Sequence, residues 1–326
     1  MNSMSQVPTV HVVIVNWNAG SLLAECLQSF EAVSDDAVAL SHITIVDNCS
    51  NDDSLCGLVE LADKLPLKII RNSSNRGFAA ACNQGARGSD ANFLLFLNPD
   101  TRLCSGSLET PALFLADAKN SRVGIVGIQL IDPNGNVARS CARRPTVWSM
   151  IGQSLGLDRS GYSIFPTHFL SEWDHCDSRT VDQVMGAFFF MKRSIFEKIG
   201  GFDERFFVYF EDVDLALRAR DLGWKSVYLA SARAFHHGSG TTEQVKDARL
   251  FYYWRSRILY AFKHFNIMGA AAIVFVTLSI EPIVRALALL ATRRPSEISK
   301  VMRATRLLWS DIPKIMGGDT RSSAAR

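Results

Sequence analysis

The chain has 326 residues, of which 48% are hydrophobic, and this is enough apolar material for one large α/β domain with an appendage. The composition excludes a disordered chain and a collagen-like repeat. The formal net charge of +3 is unevenly distributed, because residues 1–242 carry −5 and residues 243–326 carry +8. A basic tail of this kind can bind nucleic acid, an acidic partner or an anionic membrane surface.

The cysteines and the N-terminal segment indicate the cellular compartment. The seven cysteines are scattered singly and include no CxxC pair, which argues against a disulfide framework or a zinc site. The first ten residues, MNSMSQVPTV, lack the charged start and the apolar core of a signal peptide. We therefore expect the main body of the protein to lie in the cytoplasm.

The first half of the chain alternates short apolar strands with helices. The predicted strands are residues 10–15, 43–46, 67–70 and 93–97. Alternation of this kind implies right-handed βαβ units and a mostly parallel sheet that is flanked by helices. Ligands bind beyond the carboxyl ends of the strands in such sheets, where Asn16, Asp47 and Asn98 lie. A ligand site at this edge is therefore the first functional prediction.

The second half of the chain is less regular. Residues 123–131, 187–191 and 225–229 are strand-like, and a helix is expected from about Asp212 to Leu222. Residues 141–181 mix Pro, Gly, Trp and Ser and are predicted to be irregular. We expect this part of the chain to supply loops around the sheet.

Residues 243–326 differ from the rest and are expected to form a basic, apolar helical extension. Residues 267–280 contain no charged side chain, but this run is shorter than the ~20 residues that cross a bilayer. Its continuation includes Glu281, Pro282 and Arg285, which a transmembrane helix tolerates poorly. The sequence favours a helix that lies in the membrane interface. A helix packed on the body and a true membrane span stay open.

The turn Asn98-Pro99-Asp100-Thr101 follows the apolar run at residues 93–97. An acidic residue just after a central strand is well placed to hold a divalent cation that bridges two phosphates. Such a cation neutralises the charge that develops on a leaving diphosphate. The alternative is a simple turn in which Asp100 binds its own backbone.

Three carboxylates, Glu211, Asp212 and Asp214, begin a helix after an aromatic stretch. Helix capping is the simplest role, because the macrodipole favours carboxylates at a helix N-terminus. One or two acids would satisfy that role, and the aromatic stretch indicates a site shielded from water. The helix start would keep a carboxylate ionised, as a general base must be. Asp212 and Asp214 cannot both face one site, whereas Glu211 and Asp214 share a face.

Two further polar segments suit ligands. His236-His237 precedes the glycine-rich residues 238–240, which suits a metal ligand on a loop or is an ordinary surface pair. Residues 72–78 form a polar turn into a helix that carries Asn83, and such a turn suits phosphate or sugar hydroxyls or simply caps the helix. No P-loop, HExxH, GxSxG or GxGxxG pattern is present, which removes several common enzyme classes.

Together these segments resemble glycosyltransferase family 2, which has the Rossmann-like GT-A fold, and within it the bacterial rhamnosyltransferase-like branch. The matching stretches follow the family's order over residues 9–242, which is the expected catalytic domain. They are residues 13–18, 46–50, 75–78 with 83–85, 97–101, 200–204, 209–215 and 236–238. Residues 243–326 form the helical extension beyond this domain.

The resemblance implies a role for each matched residue. Asp212 matches the family's catalytic base, which deprotonates the acceptor hydroxyl for direct attack and inversion at the anomeric carbon. Asp100 matches the last acid of the DxD-type metal motif, and His236 is implied as a second ligand of Mg²⁺ or Mn²⁺. Glu211 and Gly186 would face the acceptor. The implied nucleotide-sugar site comprises Asn16, Asn18, Asp47, Asn75, Asn83, Asn98 and Asp100.

Two departures from the family pattern bear on the expected activity. Asn98 replaces the first acid of the DxD motif, so that metal binding rests on Asp100 and His236. The QxxRW sequence of processive polysaccharide synthases is absent. We therefore expect one or a few sugars to be added per acceptor.

The function implied by the resemblance is inverting transfer of a sugar from a nucleotide diphosphate to an acceptor hydroxyl. The branch implies L-rhamnose from dTDP-L-rhamnose, although nothing in the sequence selects the base or the hexose. The implied acceptor is a polyprenyl-diphosphate-linked glycan in cell-envelope polysaccharide synthesis, met at the cytoplasmic face of the inner membrane. No nucleic-acid partner is expected. Two alternatives stay open: a sugar nucleotidyltransferase and a non-catalytic nucleotide-sugar-binding protein of the same fold.

Overall fold

The computed structural model of the protein describes residues 7–31, 33, 37–158, 164–238 and 246–317. The strands in these residues are β1 (Thr9–Asn16), β2 (Ala39–Asp47), β3 (Leu67–Arg71), β4 (Phe93–Leu97), β5 (Thr101–Leu103), β6 (Val123–Ile131), β7 (Cys141–Ala142), β8 (Arg179–Val181), β9 (Gln183–Val184), β10 (Phe188–Lys192) and β11 (Lys225–His236). The helices are α1 (Ser21–Glu31), α2 (Leu58–Ala62), α3 (Phe78–Ala86), α4 (Glu109–Ala116), α5 (Val147–Leu155), α6 (Arg193–Ile199), α7 (Glu211–Asp221), α8 (Lys246–His264), α9 (Ile267–Phe275), α10 (Glu281–Ala291) and α11 (Ile298–Gly317).

β1 to β4 form the parallel half of a nine-stranded sheet, in the order β3-β2-β1-β4. β1 lies inside this half, and its valine and isoleucine side chains are buried on both faces, as is usual for a parallel strand. Val12 and Ile14 pack into one hydrophobic core with α1 and α2, whereas Val13 packs into a second core with α3. The four strands predicted in this half are confirmed.

The second half of the sheet departs from the parallel pattern. β10 lies antiparallel between β4 and β6, and β11 runs parallel to β6. β5 and β8 pair with β11 in the antiparallel direction. Because β1 to β4 pair in parallel and β6 pairs in parallel with β11, the expected mostly parallel α/β fold is confirmed. The antiparallel strands are the part of it that an alternation of strands and helices does not reveal.

Residues 141–181, which the sequence predicts to be irregular, contain a helix in their described part. α5 begins at a capping box in which Thr146 and Ser149 exchange side chain-to-backbone hydrogen bonds. It ends at Gly156, which has the left-handed conformation common at helix ends. β7 and β9 form a separate two-stranded sheet beside it. The prediction is therefore wrong for α5, because the mixed composition hides these two end signals.

The tail helices pack against the body and against one another. α9 and α10 join through a π-helical turn into one helix, Ile267–Ala291, which by length and composition alone could cross a membrane. Glu281, inside this helix, is buried and forms an ion pair with the buried Arg257 of α8. A third hydrophobic core joins α8, α9 and α11 to α5 and α7. The expected domain boundary at 242/243, and residues 239–240 of the glycine-rich turn, lie outside the described residues.

Candidate active site

The carboxyl ends of β1 and β2 are tied together by side-chain hydrogen bonds. Asn16, the last residue of β1, donates from Nδ2 to Asp47 Oδ1 at 2.9 Å and to Ser54 Oγ at 2.8 Å. Asn18 has a positive φ of 52°, and its N–H donates to Ser50 Oγ at 2.9 Å. The structure thus brings Asn16, Asn18 and Asp47 together. Because Asn16 is fully buried, it shapes this edge from behind.

Asn48 organises the neighbouring turn, and the sequence-based prediction did not include it. Its Nδ2 donates to Asn75 Oδ1 at 2.9 Å and to the Gly77 carbonyl oxygen at 3.1 Å. Its Oδ1 accepts from the Arg76 N–H at 3.0 Å. Asn48 therefore joins the end of β2 to the turn before α3. The available signal is the polar run at residues 47–53, directly after a buried strand.

Asn83 lies apart from this network. Its Oδ1 accepts from the Phe202 N–H at 2.9 Å, and its Nδ2 donates to the Phe202 carbonyl oxygen at 2.8 Å. Gly201 packs so closely that an added Cβ would lie 2.6 Å from Asn83 Oδ1. The Asn83 side chain therefore connects α3 to the turn at residues 200–204.

Asp100 and His236 lie side by side at the far end of the carboxyl edge. β5 pairs with the end of β11 so that His236 lies opposite Thr101, the neighbour of Asp100. Asp100 Oδ1 and His236 Nε2 are 3.3 Å apart, and the His237 N–H donates to the Asp100 carbonyl oxygen at 3.0 Å. Across the described residues, no three or more His, Cys, Asp or Glu side chains cluster to hold a metal ion. A cation at this pair would take further ligands from a bound molecule.

A cleft of about 320 Å³ lies beside this pair and has walls from the sheet edge, α5, α7 and α8. Side chains that line it include Met150, Gln153, His168, Gln183, Tyr209 and Tyr253. It also unites five of the predicted site residues: Asn98, Gly186, Glu211, Asp212 and His236. A wider surface hollow of about 590 Å³, around Glu109 and Asp117, contains none of the predicted residues. The smaller cleft is therefore the candidate active site.

Asp212 is oriented in the cleft by hydrogen-bond donors. Its Oδ2 accepts from the Gly186 N–H at 3.0 Å, and its Oδ1 accepts from the Val213 N–H at 2.8 Å. The Gln183 side chain, which lines the same cleft, also acts to lower the pKa of this carboxyl. Gly186 therefore acts on Asp212 through its backbone. Gln183 is a further cleft residue that the sequence-based prediction missed, and nothing in its local sequence pattern singles it out.

Burial gives Glu211 and Asp212 unusual acidities. Burial and the neighbouring Asp212 raise the pKa of Glu211 well above its ordinary value. Burial also raises the pKa of Asp212, although the N–H groups of Val213 and Gly186 oppose the rise. Glu211 Oε2 has no hydrogen-bond partner among the described residues. The negative charge of the pair therefore belongs on Asp212, and Glu211 is the neutral member.

The raised pKa of Asp212 bears on its expected role as a general base. Burial raises this pKa, although the hydrogen bonds from the Val213 and Gly186 N–H groups oppose the rise. A raised pKa makes a carboxylate a stronger proton acceptor near neutral pH. The role of Asp212 as the base stays a prediction.

Asp214 faces the opposite side of α7. Its carboxylate binds Arg218 Nε at 2.8 Å, Lys263 Nζ at 2.6 Å and His264 Nε2 at 2.8 Å. Burial alone would raise the pKa of Asp214, but the His264 hydrogen bond and the Arg218 charge outweigh it and lower the pKa. Asp212 lines the cleft and Asp214 does not, so the prediction that these two aspartates cannot both face one site is confirmed.

The turn before α7 has a backbone conformation that is rare for its residue types. Tyr209 and Phe210 have φ values of 68° and 69°, in the left-handed region that favours glycine. This region costs other residues about 1–2 kcal/mol each. α8 packs on the turn: Ser256 Oγ donates to the Val208 carbonyl oxygen at 2.7 Å, and the rings of Phe210 and Tyr260 are 5.4 Å apart. The tail therefore contacts the segment that carries Asp212.

The family model of glycosyl transferase family 2 matches residues 11–200, which is more than half of the chain. The chain belongs to glycosyl transferase family 2. The resemblance seen in the sequence is thereby confirmed, and the protein is a glycosyltransferase. The family assignment decides against the sugar nucleotidyltransferase and the non-catalytic binding protein.

Relatives within glycosyl transferase family 2 cover most of the chain. It is similar to N-acetylglucosaminyl-diphospho-decaprenol L-rhamnosyltransferase of Mycobacterium tuberculosis, with 28% identity over 263 residues, which are 76% of this chain and 82% of the relative. It is also similar to a rhamnosyltransferase of Escherichia coli strain K12, with 25% identity over 70% of this chain and 83% of that protein. The rhamnosyltransferase-like branch is thus confirmed as well.

Solved structures confirm the GT-A fold of this family 2 enzyme. A mannosyltransferase of Pyrobaculum calidifontis, in complex with GDP-Man and Mn²⁺, has a TM-score of 0.56 at 17% identity and aligns with 94% of this chain and 88% of its own. The Staphylococcus aureus protein TarS, residues 1–349 in complex with UDP-GlcNAc, has a TM-score of 0.52 at 14% identity and aligns with 94% and 92%. At these identities the likeness concerns the fold alone.

Proposed function

We propose that the enzyme transfers L-rhamnose from dTDP-L-rhamnose, with inversion, to a hydroxyl of a polyprenyl-diphosphate-linked glycan in cell-envelope polysaccharide synthesis. The observation that best supports the transfer chemistry is the environment of Asp212. It lies in the cleft, is held by N–H donors, and has a raised pKa. The names of the two relatives support the sugar, and that of the mycobacterial relative supports the lipid-linked acceptor.

The residues of the cleft account for a single displacement. The acceptor oxygen forms a bond to the anomeric carbon while the bond from that carbon to the diphosphate oxygen breaks on the opposite side. The hydroxyl proton passes to the Asp212 carboxylate. Glu211 stays neutral beside it, so that the cleft does not hold two adjacent negative charges. Attack from the side opposite the leaving group inverts the anomeric configuration.

The donor is assigned to the carboxyl edge of β1, β2 and β4. Asn18, Asp47, Asn75 and Asn98 are the side chains there that we propose to contact the nucleotide sugar. Asn16 and Asn83 support them from behind, because Asn16 is fully buried and Asn83 binds the Phe202 backbone. This division refines the set that the family resemblance implies.

A divalent cation, Mg²⁺ or Mn²⁺, is part of the proposal. Asp100 and His236 would hold it, since a carboxylate and an imidazole 3.3 Å apart fit a cation that draws its other ligands from a diphosphate. When bound, the cation would neutralise charge on the leaving diphosphate. The mannosyltransferase of similar fold, which was solved in complex with Mn²⁺, supports this assignment.

The tail supports a location at the cytoplasmic face of the inner membrane. Exposed apolar side chains at helical spacing form stripes along it: Met268 and Phe275; Ile283, Leu287 and Leu290; Met302, Trp309 and Met316. Arg293, Arg294, Arg303 and Arg306 are exposed nearby in the chain. Apolar stripes with flanking cations favour a helix pair that lies in an anionic interface. The buried Arg257–Glu281 pair favours this arrangement over a span, because it fixes one face of the helix to the body.

The proposal is tested with the full-length enzyme and defined substrates. The donors are dTDP-L-rhamnose, UDP-GlcNAc and GDP-mannose, and the acceptor is polyprenyl-diphosphate N-acetylglucosamine in vesicles of anionic lipid. We expect release of dTDP and a glycolipid heavier by one rhamnose, in the presence of Mg²⁺ or Mn²⁺ but not of excess EDTA. We also expect the enzyme to sediment with anionic vesicles and to stay in solution with neutral ones.

Each part of the proposal has its own contrary outcome. Consumption of another donor would overturn the assignment of rhamnose as the donor sugar, but not the assignment of the protein as a glycosyltransferase. Turnover in excess EDTA would contradict the proposed cation. Equal sedimentation with anionic and neutral vesicles would contradict the proposed binding to an anionic interface. If no donor and acceptor pair gives a product, the proposed function as a whole is wrong.

A further inference from the structure

The turn at residues 208–210 is the part of the active site whose conformation the local sequence does not explain. Tyr209 and Phe210 are both in the left-handed region, and neither is a residue type that adopts it readily. Phe210 is the N-cap of α7, and its carbonyl oxygen accepts from the Asp214 N–H at 2.9 Å. The turn therefore sets the direction of the first turn of α7, which carries Asp212.

The Ser256 hydroxyl acts on this turn at one defined bond. It donates to the Val208 carbonyl oxygen at 2.7 Å, and Ser256 is almost fully buried. The peptide unit that carries this carbonyl also contains the Tyr209 nitrogen, so any relaxation of the Tyr209 φ angle must rotate the carbonyl. A buried hydrogen bond to that oxygen therefore opposes relaxation directly.

Other contacts from α8 reinforce the same segment. Arg255 Nη1 donates to the Arg205 carbonyl oxygen at 2.9 Å, and Lys263 Nζ lies 2.5 Å from Asp203 Oδ2. The Phe210 ring packs on Tyr260 of the same helix. α8 thus binds the chain on both sides of Val208, whereas Ser256 is the contact at the peptide that must move.

We propose that Ser256 of the tail is a positioning residue for catalysis: it holds the left-handed Tyr209–Phe210 turn and thereby aims Asp212 at the acceptor. This inference rests on Asp212 as the base of the proposed function. Ser256 is not among the residues that line the cleft. The role is to keep a strained conformation that other parts of the fold require.

The direct test replaces the hydroxyl. Ser256→Ala should lower kcat by about 10- to 100-fold, because a displaced base misses its near-attack geometry. The dissociation constant of the donor, measured by calorimetry without acceptor, should stay within about twofold of the wild-type value. Thr305→Ala is the matched control, since the Thr305 hydroxyl donates only within its own tail helix, to the Val301 carbonyl oxygen at 2.8 Å. Its kcat should be unchanged.

A suppressor variant separates positioning from general packing. Tyr209→Gly removes the penalty of the left-handed conformation, so the turn no longer needs the Ser256 bond. In the Tyr209→Gly background, Ser256→Ala should reduce kcat by no more than about twofold. An equal reduction in both backgrounds, or an unchanged kcat for Ser256→Ala alone, would overturn the proposal. A loss of donor affinity as large as the loss of kcat would also overturn it.

Thermal denaturation gives a readout that does not depend on activity. Ser256→Ala should lower Tm less in the wild-type background than in the Tyr209→Gly background, because only the wild-type turn can relax and recover strain energy when the hydrogen bond is lost. If Ser256→Ala alone does not fold, the double variant should fold, and failure of both contradicts the proposal. Because this coupling needs no substrate, it stays decisive even if the donor and acceptor assignments fail.

Discussion

Asp212 and Asp214 are only two residues apart in the sequence, but they lie on opposite sides of α7 and have opposite surroundings. On the cleft side, Asp212 is half-buried and meets N–H donors, and its pKa is raised. On the tail side, Asp214 is fully buried and meets Arg218, Lys263 and His264, and its pKa is lowered. A carboxylate held by cations such as Arg218 and Lys263 is a poor proton acceptor, whereas one that is partly shielded from water and has no cation beside it is a good one. The comparison supports Asp212, rather than Asp214, as the proposed base, and Asp214 as the residue that ties α7 to the tail.

The largest expected effect is on the cleft side. Asp212→Asn should lower kcat by at least about 10³-fold, because the acceptor hydroxyl loses its proton acceptor. Stability at pH 7 should stay equal or rise, since a carboxyl with a raised pKa opposes folding once it is ionised. Donor affinity should change little. Retained turnover in this variant, measured as nucleoside diphosphate release, would remove Asp212 as the base.

The tail side should respond in the opposite way. Asp214→Asn leaves the partly buried Arg218 and Lys263 without their buried counter-charge and should lower the free energy of unfolding by about 3 kcal/mol. Per folded molecule, kcat should fall far less than in Asp212→Asn. Because the pKa of Asp214 is lowered in the folded state, its contribution is present above the ordinary Asp range and is lost as the pH falls below it. Urea titrations at pH 7 and pH 3 measure the loss of stability and its dependence on pH. An Asp214→Asn enzyme that is fully stable but inactive would reverse the comparison.

The smallest expected effect is that of Glu211, which lines the cleft beside Asp212. Glu211→Gln replaces a carboxyl whose pKa burial and Asp212 raise with a neutral amide of the same shape. The acid limb of the kcat/KM profile should stay where it is, because Glu211 is still neutral when Asp212 ionises. The variant should be more stable than the wild type above the ordinary Glu range, by a margin that grows with pH, and equally stable below it. An acid limb that moves to lower pH would show that Glu211 carries a charge while Asp212 titrates.

The parallel half of the sheet could be predicted from the sequence because each signal there is local. The valine and isoleucine run of β1 fixes a strand buried on both faces, and Asn16 and Asp47 mark where two strands end. The direction of β10 could not be predicted in this way. It depends on pairing with β4 and β6, which are distant in the chain.

The candidate active site shows the same contrast between local sequence signals and contacts between distant parts of the chain. Asp100 and Asp212 are recognisable from their motifs, but their neighbours are set by tertiary contacts. His236 reaches Asp100 only through the pairing of β5 with β11, and Gln183 reaches Asp212 across the cleft. The raised pKa of Asp212 likewise results from burial, which its position at the start of a helix does not predict.

The bond between Ser256 and the Val208 carbonyl has a consequence for the order of events during synthesis. A ribosome makes the chain from its N-terminus, so the donor edge and Asp100 can take shape before α8 exists. The turn before α7 obtains its hydroxyl partner only when residue 256 has left the exit tunnel. With the roles proposed for Asp212 and Ser256, the nascent enzyme would complete its donor edge before its base is positioned, and an unfinished chain would not act on an acceptor.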